Sequence, residues 1–172
     1  GVEQWSIPIS INNPKLKGSS TELLVYDVGG KDVYVVNGTN VKWNEKMDCG
    51  IISADISESG HVSVVWEAKG YKGAVTVFNP QGNKLFTGLK AEDFIVSSRV
   101  SPAGEYVVTN MMDISGIQAT SNVEFTDMSG KSLAARVLKE NEVFPLLWFL
   151  KKDFSVAVND SMVIYMDRYG KE

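Results

Sequence analysis

Acidic side chains recur in the connections of this sequence, and they are the residues best suited to chemistry. Glu92 and Asp93 form one pair, and Glu140 and Glu142 form a second pair further along the chain. Two carboxyl groups at a suitable separation can hydrolyse a glycosidic bond, and carboxylates can also bind a cation. A solvated acidic surface explains the same residues more simply, and no calcium-loop motif accompanies them. We therefore favour the acidic surface.

The single cysteine and the single histidine are weaker candidates for chemistry. Cys49 would need a neighbouring cation or base to form a reactive thiolate, and Lys46 is the cation closest to it in sequence. His61 could act as a general base, but no nucleophile motif surrounds it. One histidine offers no partner for a His-based metal site, and one cysteine forms no intramolecular disulfide. We expect no catalytic residue, no metal and no cofactor.

Connections of unequal length carry exposed polar and aromatic residues. One is tight at Gly29–Lys31, one is longer at 67–73, and the longest is 111–122. Loops that vary on a fixed scaffold are where binding specificity is placed. We predict a ligand-binding rim formed by these loops and by the acidic connections. Its candidate residues are Trp66, Glu67, Tyr71, Lys72, Glu92, Asp93, Asp113 and Glu142.

Short β-strands are the elements that must position these residues. Apolar, β-branched runs of strand length end repeatedly in Gly, Asn, Asp, Pro or Ser. No segment shows a sustained 3.6-residue period, so helices are not indicated. Examples of the runs are 33–36, 62–66, 74–78, 106–108 and 162–165. The pair Trp148–Phe149 lies in such a run, and we expect it in the core. The sequence predicts an all-β fold.

Two series of glycine turns repeat along the chain with a shared period. Gly38, Gly82, Gly130 and Gly170 each close a polar turn that follows a strand. They recur every ~40–48 residues, which is the length of a four-stranded propeller blade. A second series of turns, at 60 and 104, keeps the same spacing. We predict about four four-stranded antiparallel blades of a β-propeller.

The phase of the repeat predicts how the blades divide the chain. Residues 1–172 form one propeller-like domain or fragment, with blades at about 9–48, 51–92, 95–142 and 145–172 and with 2–8 as an extra outer strand. This phase allows an arc of a larger propeller or a closed four-bladed ring. We favour the arc because four-bladed rings are at the small end of the observed range. Uncovered faces of an arc predict self-association.

Composition excludes several classes of partner. The formal net charge is −4, from 17 basic and 21 acidic residues. This charge argues against nucleic-acid binding and gives no attraction to anionic lipid. No apolar run approaches the ~20 residues that a membrane helix needs. The chain opens at Gly1 with no export signal, so we expect any membrane anchor to lie outside it.

Four segments carry a resemblance to a known family: 70–78, 82–86, 91–96 and 100–108. They resemble a family of uncharacterised, membrane-anchored Gram-positive bacterial proteins with an extracellular propeller-like domain of unknown function. The resemblance covers most of 51–172 and implies a location on the extracellular face of the cell envelope. It implies no activity and no site residues. More loosely, Gly1–Trp5 resembles the docking turn of quinoprotein propellers, and the repeat resembles WD40 propellers, although no Trp-Asp dipeptide occurs.

Two main functions remain open at this point, beside a weaker third one, a purely structural spacer that holds the membrane anchor away from another domain. The first is a non-enzymatic extracellular binding or scaffold module that recognises a protein or a cell-wall glycan through the rim loops. The alternative is a glycan hydrolase or lyase that uses rim carboxylates such as Asp93 and Glu142. An enzyme requires carboxylates that converge in one pocket with a strongly perturbed pKa, whereas a binding module does not.

Overall fold

A computed structural model describes residues 6–151, 154–167, 169 and 171 of the chain. Within these ranges the backbone forms fifteen strands and no α-helix. Accordingly, this part of the chain contains no helix with the length and apolar character needed to cross a membrane.

The strands form four antiparallel sheets in chain order, here called blades 1 to 4. Blade 1 contains β1 (Pro14–Gly18), β2 (Leu23–Asp27), β3 (Asp32–Asn37) and β4 (Asn40–Lys46). Blade 2 contains β5 (Ile51–Ile56), β6 (Val62–Trp66), β7 (Gly73–Phe78) and β8 (Lys84–Lys90). Blade 3 contains β9 (Phe94–Val100), β10 (Tyr106–Asp113), β11 (Thr120–Asp127) and β12 (Ser132–Val137). Blade 4 contains β13 (Leu146–Lys151), β14 (Phe154–Val158) and β15 (Val163–Asp167).

The predicted all-β fold of antiparallel blades is confirmed. Three sheets have four strands, and blade 4 has three strands among the described residues. Within each sheet every strand pairs with the next one in sequence, so each blade is an antiparallel meander. The predicted extra outer strand at 2–8 is not observed where it can be examined: 6–8 lie outside any strand, and 2–5 lie outside the described residues.

The apolar core lies between the sheets. One cluster joins blades 1 and 2, a second joins blades 2 and 3, and a third joins blades 3 and 4. Neighbouring residues of a central strand enter different clusters, as Val107 packs towards blade 2 and Val108 towards blade 4. Since successive side chains of a strand point to opposite faces, the central strands are apolar on both faces. This explains why their sequences are continuous apolar runs.

A glycine turn and an aromatic side chain join each of two adjacent blade pairs. Gly82 of blade 2 and Gly130 of blade 3 have φ angles of 84° and 86°. A Cβ atom at Gly82 would lie 2.7 Å from Trp43 of blade 1, and one at Gly130 would lie 2.8 Å from Phe86 of blade 2. Both positions therefore need glycine for its backbone conformation and for the close approach of the aromatic ring.

Replacing Gly82 with alanine should destabilise the protein. We expect Gly82→Ala to lower the free energy of unfolding by about 2 kcal/mol or more, because it combines a strained φ with a clash against Trp43. Urea unfolding followed by tryptophan fluorescence measures this change.

The matched control is Gly88→Ala, in strand β8. A Cβ atom there would be 3.9 Å from its nearest neighbour, Phe86, and the φ angle is not positive. We expect the free energy of unfolding to change by less than ~0.5 kcal/mol. Equal losses in the two variants would show that the contact with Trp43 does not join blades 1 and 2.

Candidate functional site

The candidate rim residues all lie at one end of the strands. In an antiparallel meander, the connection after the second strand and the connection after the fourth strand lie at the same end of the sheet. Glu67, Tyr71 and Lys72 occupy the first type of connection in blade 2, whereas Glu92, Asp93 and Glu142 occupy the second type. Asp113 is the last residue of β10, the second strand of blade 3, and therefore lies at the same end of its sheet. The topology therefore brings these seven residues to one rim.

Trp66, a predicted rim residue, lies at the same end of its strand, but its side chain is largely buried. Its side chain is only 9% exposed and packs in the cluster between blades 1 and 2. The indole Nε1 donates a hydrogen bond of 2.9 Å to Thr76 Oγ1 in the same sheet. A tryptophan at the end of a central strand is thus drawn into the core, because both faces of that strand are covered.

Two of the rim carboxylates, Asp93 and Glu142, accept hydrogen bonds from neighbouring side chains. Asp93 accepts a hydrogen bond of 3.0 Å from Asn122 Nδ2. Glu142 accepts one of 2.9 Å from Asn159 Nδ2 and pairs with Lys139 Nζ at 2.5 Å. These bonds tie the connections of the rim to the strands and loops beside them.

Electrostatics on the rim do not favour Asp113 or Glu142 as a general acid. Hydrogen bonds from Lys139 and Asn159 hold the pKa of Glu142 below its ordinary value. Hydrogen bonds from Ser115 do the same to the pKa of Asp113, whose Oδ1 accepts the Ser115 backbone N–H at 2.8 Å. A general acid at neutral pH needs a raised pKa, so both shifts have the wrong sign for that role.

Three acidic side chains line a depression of about 300 Å³ between blades 2 and 3. Glu92, Asp93 and Glu124 line it, and Lys90 forms an ion pair with Glu124. Over the described ranges of the chain, no cluster of three or more His, Cys, Asp or Glu side chains could hold a metal ion.

The other candidates from the sequence, Lys72, Cys49 and His61, contact neighbouring side chains. Lys72 Nζ lies 4.6 Å from the centroid of the Phe94 ring, which fixes the lysine beside blade 3. Cys49 is half-buried against the cluster between blades 1 and 2. The Nδ1 atom of His61 is hydrogen-bonded to Ser59 Oγ at 2.9 Å, and burial lowers the pKa of its imidazole. The His61 ring lies against Gly104, since a Cβ atom at position 104 would be only 2.6 Å from the ring.

Two exposed isoleucines on the rim are the feature that sequence reasoning missed. Ile117 has a relative exposure of 104% and Ile114 of 49%, while the predicted rim residue Tyr71 is 46% exposed. Both isoleucines lie in the long connection between β10 and β11. The sequence feature that could have revealed them is an isoleucine on each side of Ser115 and Gly116 in a polar loop, where no strand face can bury it.

A second set of polar and aromatic residues lies along the inner strands, and we call it the axial row. Its members are Lys17 of β1, Asp55 of β5, Arg99 of β9 and Trp148 of β13. The strand pairing makes them equivalent, because each begins a cross-strand row of side chains on the same side of its blade. The rows of blades 1 to 3 face the next blade along the chain. Together they line a cavity of about 330 Å³ at the inner ends of the four blades.

Arg99 contacts the members of the axial row on both sides of it. Arg99 Nη1 lies 3.0 Å from Asp55 Oδ2, and Arg99 Cζ lies 4.2 Å from the centroid of the Trp148 ring. Burial raises the pKa of Asp55, while the charges of Arg99 and Lys17 oppose that shift.

Trp148 is 55% exposed, so the expectation that it lies in the core is wrong. Its neighbour Phe149 does pack against blade 3, as expected.

Removing the charge of Arg99 should make stability depend on the protonation of Asp55. Arg99→Gln leaves a mostly buried carboxylate without its main partner, and we expect a loss of about 2 kcal/mol near neutral pH. The pKa of Asp55 in the folded state is already raised and rises further in this variant. An acid with a raised folded-state pKa binds its proton more tightly when folded, so the variant should regain stability as the pH falls.

The control for this pH dependence is the double variant Asp55→Asn/Arg99→Gln, in which no carboxylate remains to titrate. Urea unfolding at neutral and acidic pH measures both proteins. We expect the recovery at acidic pH in the single variant only. The same recovery in the double variant would show that Asp55 is not its source.

Comparison with solved structures gives the fold class independently. The C-terminal WD40 domain of Sif2 matches at 16% identity and a TM-score of 0.56, over 83% of this chain and 41% of that one. The β-propeller domain of Cps50 (Swd1) from Myceliophteria thermophila matches at 8% identity and a TM-score of 0.63, over 88% and 51%. Hsv2p of Kluyveromyces lactis matches at 12% identity and a TM-score of 0.59, over 83% and 50%.

These likenesses show a fold of the WD40 propeller type, as the sequence predicted. The chain spans only about half the length of each of these structures. No curated protein matches the sequence. A family model described as "Family of unknown function (DUF5711)" matches residues 1–171. The predicted resemblance to a family of unknown function is thereby confirmed, while the Gram-positive origin and the membrane anchor stay predictions.

Proposed function

The chain belongs to the DUF5711 family of unknown function, and from this premise we propose that it is a non-enzymatic scaffold that recognises a protein partner through one rim. The observation that carries the proposal is the exposure of Ile117, supported by Ile114 and Tyr71 on the same rim. Covering a side chain of this size contributes about 1.5–3 kcal/mol to binding.

The chemistry of the rim favours a protein over a glycan as the ligand. A sugar ring binds to the flat face of an aromatic side chain and to free polar groups. Here Tyr71 is the one exposed aromatic side chain among the predicted rim residues, and the two isoleucines on the same rim add aliphatic surface. Asp93, Asp113 and Glu142 are already hydrogen-bonded within the protein. Apolar side chains surrounded by exposed charges such as Glu67 and Glu92 suit a protein interface with a polar rim. A cell-wall glycan is the other outcome that the test must detect.

We also propose that the protein acts on the extracellular face of the cell envelope, held by an anchor outside this chain. The support is the resemblance of 70–78 and 100–108 to membrane-anchored envelope proteins. We propose further that the chain self-associates, because apolar faces of its end blades are exposed.

A photo-reactive residue at position 117 should capture the partner. With the reactive side chain at position 117, in cells that encode the protein, we expect a discrete covalent adduct with one protein. The matched control carries the same residue at position 85, where Leu85 is exposed on outer strand β8 away from the rim. Mass spectrometry identifies the adduct, and adducts of equal yield at both positions would contradict a rim-specific partner.

Affinity for the captured protein then tests the isoleucines directly. We expect Ile117→Ser to weaken binding by roughly tenfold or more, as for a central interface residue, and Leu85→Ser to leave binding unchanged. Calorimetry measures both variants. If no adduct forms while purified cell-wall glycan binds the wild-type chain and the Ile117→Ser variant equally, the protein partner is wrong and the ligand is a glycan.

Exposure of the chain to added protease in intact cells tests the proposed location. We expect a tagged protein to be digested without cell lysis, because the proposal places the module outside the membrane. A cytoplasmic protein of the same cells serves as the control and should survive. Protection of both proteins until lysis would contradict an extracellular location.

A further inference from the structure

A groove runs along the face of blade 3 that is turned towards blade 2. Two depressions of about 300 Å³ and 320 Å³ form it, and they share Asp93, Met111 and Ala135 as lining residues. The strand register places Met111 opposite Asn122 and Asn122 opposite Val137, so these three side chains share one face of the sheet. Met111 packs in the apolar cluster between blades 2 and 3, which identifies that face. We call this space the 2–3 groove.

The floor of the 2–3 groove is apolar, and its outer side is open to solvent. Met111 forms the buried part of the floor, while Val137 on outer strand β12 is half-exposed. Leu89 of β8 borders the groove from blade 2. A side chain that lies in the groove therefore contacts aliphatic surface along its length.

Hydrogen-bond acceptors without donors are found at the rim end of the 2–3 groove. Asp93 accepts the hydrogen bond from Asn122 on Oδ2, and its Oδ1 atom accepts none among the described residues. The Oδ1 atom of Asn122 is buried and has no donor in the part of the chain that the structure describes. Glu92 is exposed beside them, whereas Glu124 is already paired with Lys90. This end of the groove therefore has more acceptors than donors.

Arg136 borders the 2–3 groove but belongs to the other face of blade 3. It lies opposite Val123, and Val123 packs in the cluster between blades 3 and 4. Because successive side chains of a strand point to opposite faces, the Arg136 side chain leaves β12 away from the groove. It therefore does not balance the charges of Glu92 and Asp93 within the groove.

A lysine or arginine side chain has the chemistry that fits the 2–3 groove. Its hydrocarbon stem can lie along Met111 and Ala135 while its charged end stays at the polar rim. At that end it can donate to Asp93 Oδ1 and to Glu92. An acidic side chain would be repelled by the two carboxylates. A purely apolar one would cover their oxygens without supplying a donor, which costs free energy.

The 2–3 groove leads directly to the loop that carries the exposed isoleucines. Ile114 is three residues beyond Met111, which is about 10 Å along an extended strand. On the returning strand β11, Asn122 follows Thr120, where the loop ends. A segment of a partner that covers Ile114 and Ile117 can therefore reach the groove with a side chain a few residues away.

Two acidic connections lie beside the same loop. Asn141 N donates to Thr120 Oγ1 at 3.1 Å, and Asn159 Nδ2 donates to Glu142 Oε2 at 2.9 Å, so the connections 138–145 and 159–162 are held near it. Three acids and one lysine, which pairs with Glu142, occupy these connections: Glu140, Glu142, Asp160 and Lys139. Negative charge of this kind attracts a basic partner and speeds its association.

We propose that the partner binds the rim through a basic segment, one lysine or arginine of which occupies the 2–3 groove beside Asp93 while apolar residues of the segment cover Ile117. This inference rests on the proposed recognition of a protein through the rim, and it adds the chemistry of the partner.

A defined cationic probe tests the groove without the natural partner. We expect a hexa-arginine peptide to shift the ¹³C-methyl NMR signal of Met111 in a saturable manner, because Met111 lies in the floor of the groove. A hexa-glutamate peptide should leave the signal in place. The Met111→Leu variant assigns it. The methyl signal of Met166, buried between blades 3 and 4, is the internal control and should not move.

A charge-matched pair of variants tests the role of the two carboxylates. Glu92→Gln/Asp93→Asn should weaken binding of hexa-arginine, followed at Met111, by about fivefold or more. The control Glu45→Gln/Asp48→Asn removes two exposed acids of blade 1 and should leave binding unchanged. Circular dichroism verifies that both variants are folded. Equal weakening in the two variants, or no weakening in the first, would overturn the proposed role of the groove.

The protein captured at position 117 separates a failure of this inference from a failure of the rim proposal. We expect its affinity for the wild-type chain to fall as the NaCl concentration rises, and to fall less steeply for Glu92→Gln/Asp93→Asn. If Ile117→Ser weakens binding while Glu92→Gln/Asp93→Asn binds like the wild type at every salt concentration, the rim binds a protein but the cationic side chain is wrong. A specific response to hexa-arginine with no adduct at position 117 would support the groove and contradict the rim proposal.

Discussion

Coverage of both faces of each sheet is the constraint on which this structure depends. A blade has no core of its own, because its apolar side chains leave the sheet in both directions and are buried only by the blades on either side. Val107 and Val108 are successive residues, yet they stabilise two different interfaces. Blades 2 and 3 satisfy this requirement within the chain. Among the described residues, blades 1 and 4 each have a neighbouring blade on one side only. Their other faces are also apolar, but they remain exposed.

This constraint applies to the strands and turns that pack between blades, but not to the loops at the rim. Packing between blades fixes the strands, the turn glycines and the cross-strand rows that end at Trp43 and Phe86. The connections at the rim take no part in these rows and can change length without disturbing a core. The loop that carries Ile117 extends into solvent for this reason. Binding surface is therefore available at the rim without loss of stability between the blades.

Much of the fold could be predicted from the sequence, but only part of the candidate site. Turn glycines such as Gly82 and Gly130 revealed the blades because a positive φ and a close aromatic contact leave few alternatives to glycine. The position of Trp66 on the rim was also predictable, but its burial was not. A continuous apolar strand does not show which of its faces a neighbour covers, and the same ambiguity led to the wrong expectation for Trp148. The contact between Asp55 and Arg99 could have been found, since their separation of 44 residues is one repeat.

The axial row gives the chain a means to fix the order of its blades. The four equivalent positions hold a lysine, an aspartate, an arginine and a tryptophan, so each position differs from its neighbours while the surrounding packing is alike. If blades 1 and 3 were adjacent, Lys17 would meet Arg99 and two cations would repel each other near the axis. The native order instead places Asp55 between these cations and Trp148 after the second one. The short connections between blades already place successive blades side by side. The ion pair of Arg99 with Asp55, whose side chains are only 16% and 13% exposed, adds a contact that a wrong order would lose.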